Sequence, residues 1–157
     1  MHRIKGVILL IIMIVIGSLF VIGQKPKEGR VILFKYSVSG SRAGWREYYE
    51  IVQQDDKLIL KTNKEGSYSC DVFNEVEIGK EVLSELTDYI NEQHIYKWDG
   101  YEKFDKNVLD GNSWSLYIKY DSGNTISASG YMKHPKDFHQ KMTGMIEIIN
   151  KHIIKSE

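Results

Sequence analysis

The sequence predicts an α+β domain, in which an antiparallel sheet carries two helices on one face, preceded by one amino-terminal transmembrane helix. Four short stretches with alternating apolar residues come first in the domain. Two later segments show the 3.6-residue period of an amphipathic helix, and a hairpin lies between them. Because most neighbouring strands have no helix between them, we expect them to pair antiparallel. The expected order along the chain is β-β-β-β-α-β-β-α.

The four leading strands are predicted from this alternation and from the turns between them. Residues 31–38 and 46–53 flank the loop SGSRAG, and Asp55-Asp56 forms a polar turn into the strand 57–62. The fourth strand is predicted over SYSCDVF, residues 67–73, where apolar and polar side chains alternate. Short connections between consecutive strands indicate a meander.

Two segments carry helical periodicity. The first stripe runs from Val82 to Ile90 with apolar residues at i, i+1, i+4, i+7 and i+8. The second stripe runs from Phe138 to Ile153, and Pro135 is expected in the first turn of that helix.

The hairpin between the two helices has a register that its own side chains select. A two-residue turn would place Ile118 opposite Ser127 and set an apolar face against a polar one. A three-residue loop, 121–123, instead pairs Ile118 with Ile126 and puts Gly123 at the left-handed position that such loops require. We therefore predict the three-residue loop.

Residues 6–23 form an apolar segment after a short basic lead at 1–5. As a helix they would span roughly 27 Å at about 1.5 Å per residue, close to the ~30 Å hydrocarbon core of a bilayer. A cleavable signal usually has a shorter apolar run of about 7–15 residues and a small-residue cleavage site. We therefore predict a retained signal-anchor. The alternative is cleavage near Gly23, which would release a secreted domain.

The chain after this segment is organised as a short polar stalk at 24–29 and one domain at 30–157. Basic residues lie on both sides of the apolar segment, so the positive-inside bias is weak. The basic lead favours an amino terminus inside the cell and an extracytoplasmic domain. We therefore expect a single-pass protein of the cell membrane, held in the envelope by residues 6–23.

Charge and motifs exclude several classes of function. The domain and stalk hold 21 acidic and 19 basic residues, a formal charge of −2, which is unlike a nucleic-acid-binding surface. The P-loop, nucleophile-elbow, zinc-protease and dinucleotide-binding motifs are missing from the sequence. His134 and His139 are five residues apart, whereas two ligands on one helix face are three or four apart. We expect no catalytic residues, no metal site and no cofactor.

The stretch 96–112 is the strongest candidate for a binding surface. It is longer than most structureless loops in compact domains, and such loops are often functional. Aromatic and acidic residues recur in it, and those expected to bind are Tyr96, Trp98, Asp99, Tyr101 and Phe104. Rings among charges are typical of a wet surface that stacks on a sugar or anchors a partner. The alternative is that the rings cover the open side of the sheet, with a short helical turn.

A second candidate surface surrounds Trp45, which lies close to Arg42 and next to Arg46 in the predicted connection between the first two strands. The same combination of a ring with charges supports it.

These observations predict a membrane-anchored, non-catalytic binding or interaction module. Its partner would be another envelope protein or a cell-wall component. One alternative is a small hydrolase that uses His94 with Asp99 or with Cys70. A further alternative is an inhibitor or immunity protein directed at a specific enzyme.

Overall fold

A computed structural model describes residues 24–40, 44–63 and 73–154, with the backbone alone for 44–46. The predicted anchor at 6–23, Arg42 and Cys70 lie outside these ranges. No helix within them has the length and apolar character needed to cross a bilayer.

The described residues form an α+β domain, which confirms the predicted class. Its elements are β1 (Val31–Gly40), β2 (Gly44–Gln54), β3 (Lys57–Asn63), β4 (Phe73–Ile78), α1 (Val82–Glu92), a 3₁₀ helix (Ile95–Trp98), β5 (Glu102–Phe104), β6 (Asn112–Tyr120), β7 (Thr125–Tyr131) and α2 (Phe138–Lys151). The strands lie in the order β4-β3-β2-β1-β6-β7-β5.

The sheet is mixed, so the prediction of a purely antiparallel sheet is wrong. The added strand β5 runs parallel to β7, with Glu102 opposite Ser129 and Phe104 opposite Tyr131. All three residues of β5 are exposed. A three-residue strand exposed throughout has no apolar alternation, and this is the signal by which the other strands were predicted. The order along the chain is therefore β-β-β-β-α-β-β-β-α.

Two predicted boundaries also need correction. Apart from Phe73, the predicted fourth strand, 67–73, lies outside the described ranges, and the described strand continues to Ile78, so the predicted carboxyl end is wrong. The described strand is held partly by ion pairs across to β3, where Lys57 lies 2.7 Å from Glu77. The final helix begins at Phe138, so Pro135 precedes it and is not in its first turn.

The β6–β7 hairpin has the predicted register. Ile118 lies opposite Ile126, and Leu116 lies opposite Ala128. The Tyr120 N–H donates to the Asn124 carbonyl at 2.9 Å, which closes the three-residue loop. Gly123 has a φ of +86°, the left-handed conformation that the loop requires.

One face of the sheet and the stripes of both helices share a hydrophobic core. Phe34, Ile118 and Ile126 alternate inward from adjacent strands. The helices add buried residues from their stripes: Val82, Leu83, Leu86, Ile90, Phe138, Met142, Met145 and Ile149. The opposite face of the sheet, called the open face below, carries mainly serine, tyrosine and lysine.

The residues predicted as a stalk lie against the domain. The Lys27 ammonium is 2.7 Å from the Asp99 carboxylate. The Ser122 hydroxyl donates to the Glu28 carbonyl at 2.6 Å. The described chain therefore begins beside Asp99, where Gln24 Nε2 donates to the Asp99 carbonyl, and passes the β6–β7 turn before it enters β1.

The pairing of β1 with β6 defines two ends of the sheet. At the near end, Val31 pairs with Tyr120 next to the β6–β7 turn. At the far end, β1 reaches Gly40 and pairs with Asn112 at the start of β6. From Val31 to Val38, β1 advances by roughly 23 Å at about 3.3 Å per residue.

Gly123 offers a direct test of the hairpin loop. A Cβ at this position would meet nothing within 4 Å, so only the positive φ opposes a larger residue. We expect Gly123→Ala to lower the free energy of unfolding by about 1 kcal/mol. Gly123→Asn should recover much of the loss, because asparagine tolerates the left-handed conformation. Urea denaturation followed by circular dichroism measures both. Equal losses for both variants would contradict the loop conformation.

Candidate functional site at the far end of the sheet

A cavity of about 320 Å³ lies at the far end, between the sheet and α2. Its apolar lining residues come from β1, β6, α2 and the β7–α2 connection, and they are Val38, Trp114, Met132, Phe138, Met142 and Ile146. Its polar lining residues are Tyr36, Glu47, Asn112, His134, His139 and Thr143. A mostly apolar cavity with a few convergent polar groups is the usual form of a small-molecule site.

Trp114 forms the floor of this cavity and is held by the chain that crosses above it. The indole is 3% exposed, and its Nε1–H donates to the Lys133 carbonyl at 2.7 Å. The crossing is close because Gly130, opposite Trp114 on β7, has no side chain. A Cβ there would lie 2.6 Å from the indole nitrogen and would also overlap the Lys133 carbonyl oxygen.

The connection from β7 to α2 has an unusual backbone at both of its ends. Met132 has a φ of +54° and Asp137 a φ of +57°, in the left-handed region that costs a non-glycine residue free energy. Two hydrogen bonds to Asn112 hold Met132. The Met132 N–H donates to the Asn112 carbonyl at 3.0 Å, and the Asn112 N–H donates to the Met132 sulfur at 3.2 Å. This connection therefore presents His134 in one defined position.

The structure brings His134 and His139 together, although their sequence spacing predicted no pairing. Their ring centroids are 4.8 Å apart, and His134 stacks on Trp114 at 5.9 Å. Helical spacing does not apply to them, because His134 lies in the connection before α2. Burial, and then the charge of His139, lower the pKa of His134. Within the described ranges, no group of three His, Cys, Asp or Glu residues is placed to hold a metal ion.

The opposite wall of the cavity contains a tyrosine that is hydrogen-bonded to a carboxylate. The Tyr36 hydroxyl donates to Glu47, which lies on the neighbouring strand β2. Burial is the largest cause that raises the pKa of Tyr36, and the charge and hydrogen bond of Glu47 add to it. Tyr36 is therefore a neutral donor at any physiological pH, and Glu47 brings a negative charge to the cavity.

A shallow depression of about 250 Å³ lies on the open face at the same end. Phe104 is 63% exposed and stacks on Tyr131 with ring centroids 4.6 Å apart. Ser113 and Ser129 lie beside these rings, and Glu102 and Lys103 complete the rim. The depression therefore combines a ring pair with hydroxyl groups.

The predicted site residues of the stretch 96–112 divide into buried and exposed members. Tyr96 and Trp98 are each 5% exposed and belong to the core. Tyr101 is half-buried and packs against Trp114 at 5.8 Å. Only Phe104 of the four predicted rings is exposed. Trp98 packs on Phe138 of α2, so two of the rings belong to the core on the helix-covered side and not to the open side of the sheet.

Asp99, also a predicted site residue, connects three parts of the chain. Its carboxylate contacts Lys27 and accepts the Ser127 N–H at 3.0 Å. Burial alone would raise the pKa of Asp99, but the hydrogen bonds from Lys27 and Ser127 outweigh it and hold the pKa below its usual range. Among the described residues, these contacts link the amino-terminal segment to β7.

The second predicted surface is only partly described. Trp45 and Arg46 lie in β2, where the structure describes their backbone alone, and Arg42 is outside the described ranges. Their role in binding remains a prediction.

The groups of the hydrolase alternative have other partners where they are described. His94 Nδ1 lies 3.2 Å from the Tyr96 hydroxyl, while Asp99 is bound to Lys27. The thiol of Cys70 is outside the described ranges.

The close crossing over Trp114 generates a stability prediction. Gly130→Ala places a methyl group against the Lys133 carbonyl and the indole. We expect it to lower the free energy of unfolding by roughly 1–3 kcal/mol, the usual cost of overpacking. Ser127→Ala on the same strand, where the side chain is exposed, should change it by less than about 0.5 kcal/mol. Urea denaturation measures both. A Gly130→Ala variant as stable as the parent would contradict the crossing geometry.

The far end thus has two concave surfaces on opposite faces of the same strands. The cavity is the less open of the two, whereas the depression presents a stacked ring pair beside hydroxyl groups. Comparison of the chain with protein-family models and with curated proteins finds no match.

Proposed function

We propose that this protein is a membrane-anchored, non-catalytic binding module of the cell envelope. Residues 6–23 would hold it in the membrane, and the domain would bind a cell-wall polysaccharide through the depression at Phe104. The observation that carries the proposal is the exposed Phe104–Tyr131 stack beside serine hydroxyls.

The chemistry of the depression favours a sugar chain over a protein partner. A flat ring such as Phe104 presents an apolar face that fits the C–H face of a pyranose. The hydroxyls of Ser113 and Ser129 donate and accept hydrogen bonds as sugar hydroxyls do.

Phe104→Ala tests the binding surface. We expect at least a fivefold weaker association of the full chain with purified cell-wall polysaccharide, because a central ring usually contributes more than about 1 kcal/mol. Leu109→Ala is the matched control, since Leu109 is 94% exposed and does not line the depression. Co-sedimentation measures the association.

Two results would contradict the glycan assignment. One is equal binding by the parent and the Phe104→Ala variant. The other is a failure to bind polysaccharide while detergent-solubilised membrane proteins are captured in a Phe104-dependent way, which would favour an envelope protein as the partner.

Orientation is tested separately by adding protease to intact cells. We expect a carboxy-terminal epitope to be digested, because the proposed topology places the domain outside the membrane. A cytoplasmic marker should stay intact, and lysis should expose both proteins. A domain that stays protected in intact cells would place it on the cytoplasmic side.

A further inference from the structure

We propose that the cavity at the far end binds a small organic cation, a primary or secondary amine that carries an apolar group. This site lies on the helix-covered face of the sheet and is independent of the proposed polysaccharide surface.

The apolar part of such a ligand would lie against Trp114, Phe138 and Met142. Each of these side chains is 3% exposed and forms part of the wall of the cavity. The two rings are 4.4 Å apart. The cavity volume of about 320 Å³ is at the lower end of the range for ligand sites, roughly 300–1,000 Å³. A compact ligand with one ring or a short alkyl chain matches it.

The charge of the cavity selects a cation. Among the described residues that line it, Glu47 has the only carboxylate, and no lysine or arginine is present. Aromatic faces attract a cation through their quadrupole, and a carboxylate adds a charge-assisted hydrogen bond. Glu47 is exposed at the cavity and interacts with the Tyr36 hydroxyl, which also lines it.

The histidine pair makes this preference depend on pH. His134 faces His139 of α2 and the ring of Trp114 on β6, and it shares the cavity with Tyr36 of β1 and Glu47 of β2. Lys133, the preceding residue, is paired with Asp105 at 2.9 Å. Because the pKa of His134 is lowered, its ring is neutral at pH 7 and does not repel a cation. Protonation at lower pH adds a positive charge and would oppose the cation.

The test compares three probes of similar shape. 2-Phenylethylamine is cationic at neutral pH, 2-phenylethanol is neutral and phenylacetate is anionic. Each is titrated into the full chain in phosphatidylcholine nanodiscs at pH 7.5 by calorimetry, with empty nanodiscs as the blank. We expect the amine to bind at least about tenfold more tightly than either of the others, a difference of about 1.4 kcal/mol.

Two variants test whether the Glu47 carboxylate supplies the charge that attracts the amine. Glu47→Gln should bring the amine to the affinity of the alcohol and leave the alcohol unchanged. Glu50→Gln is the matched control, because Glu50 lies on the same strand but contacts Tyr48 and Lys35 and does not line the cavity. It should leave all three affinities unchanged. Thermal melting of each variant confirms that it is folded.

The pH dependence of binding distinguishes a cation site from an anion site. Amine affinity should fall between pH 7.5 and 5.5, whereas an anion would bind more tightly as His134 gains a proton. Failure of all three probes to bind, equal binding by all three, a strengthening of amine binding at low pH, or no effect of Glu47→Gln would each overturn the proposal.

Discussion

The pairing of β1 with β6 is the interaction on which the rest of the structure depends. It sets Phe34 opposite Ile118, Tyr36 opposite Leu116 and Val38 opposite Trp114. Without it, the four-stranded meander and the β6–β7 hairpin would be separate sheets, and an isolated two-stranded hairpin is marginally stable at best. Because side chains alternate, a slip by one residue would move this entire set from the helix-covered face to the open face. The register therefore decides which residues form the cavity and which form the depression.

The same pairing places both candidate surfaces at one end. β1 begins beside the β6–β7 turn, where the Arg30 N–H donates to the Asp121 carboxylate, and ends beside Asn112. Trp114 stands where the two surfaces come closest, because it lines both. Its fixed position needs Gly130 and the Lys133 carbonyl, neither of which contributes a side chain to a ligand. Stability and site geometry are thus coupled through a single indole.

Sequence patterns predicted those features in which a side-chain period and a turn agree. The β6–β7 register followed from the apolar alternation of both strands together with Gly123, and both helix stripes followed from a 3.6-residue period. β5 was missed because three exposed residues have no period, and their strand exists only because the free edge of β7 is available. The approach of His134 to His139 was missed for a related reason: it depends on the left-handed residues Met132 and Asp137. No local pattern encodes that turn.

The stretch 96–112 shows why alternating rings and charges are ambiguous in a sequence. Tyr96 and Trp98 lie in a 3₁₀ helix that turns them into the core, whereas Phe104 lies in an edge strand that turns it outward. The two environments are only a few residues apart. Asp99 lies between them, where its carboxylate accepts the Ser127 N–H and contacts Lys27. The exposed ring of this stretch therefore lies beyond Gly100, where the chain joins the sheet.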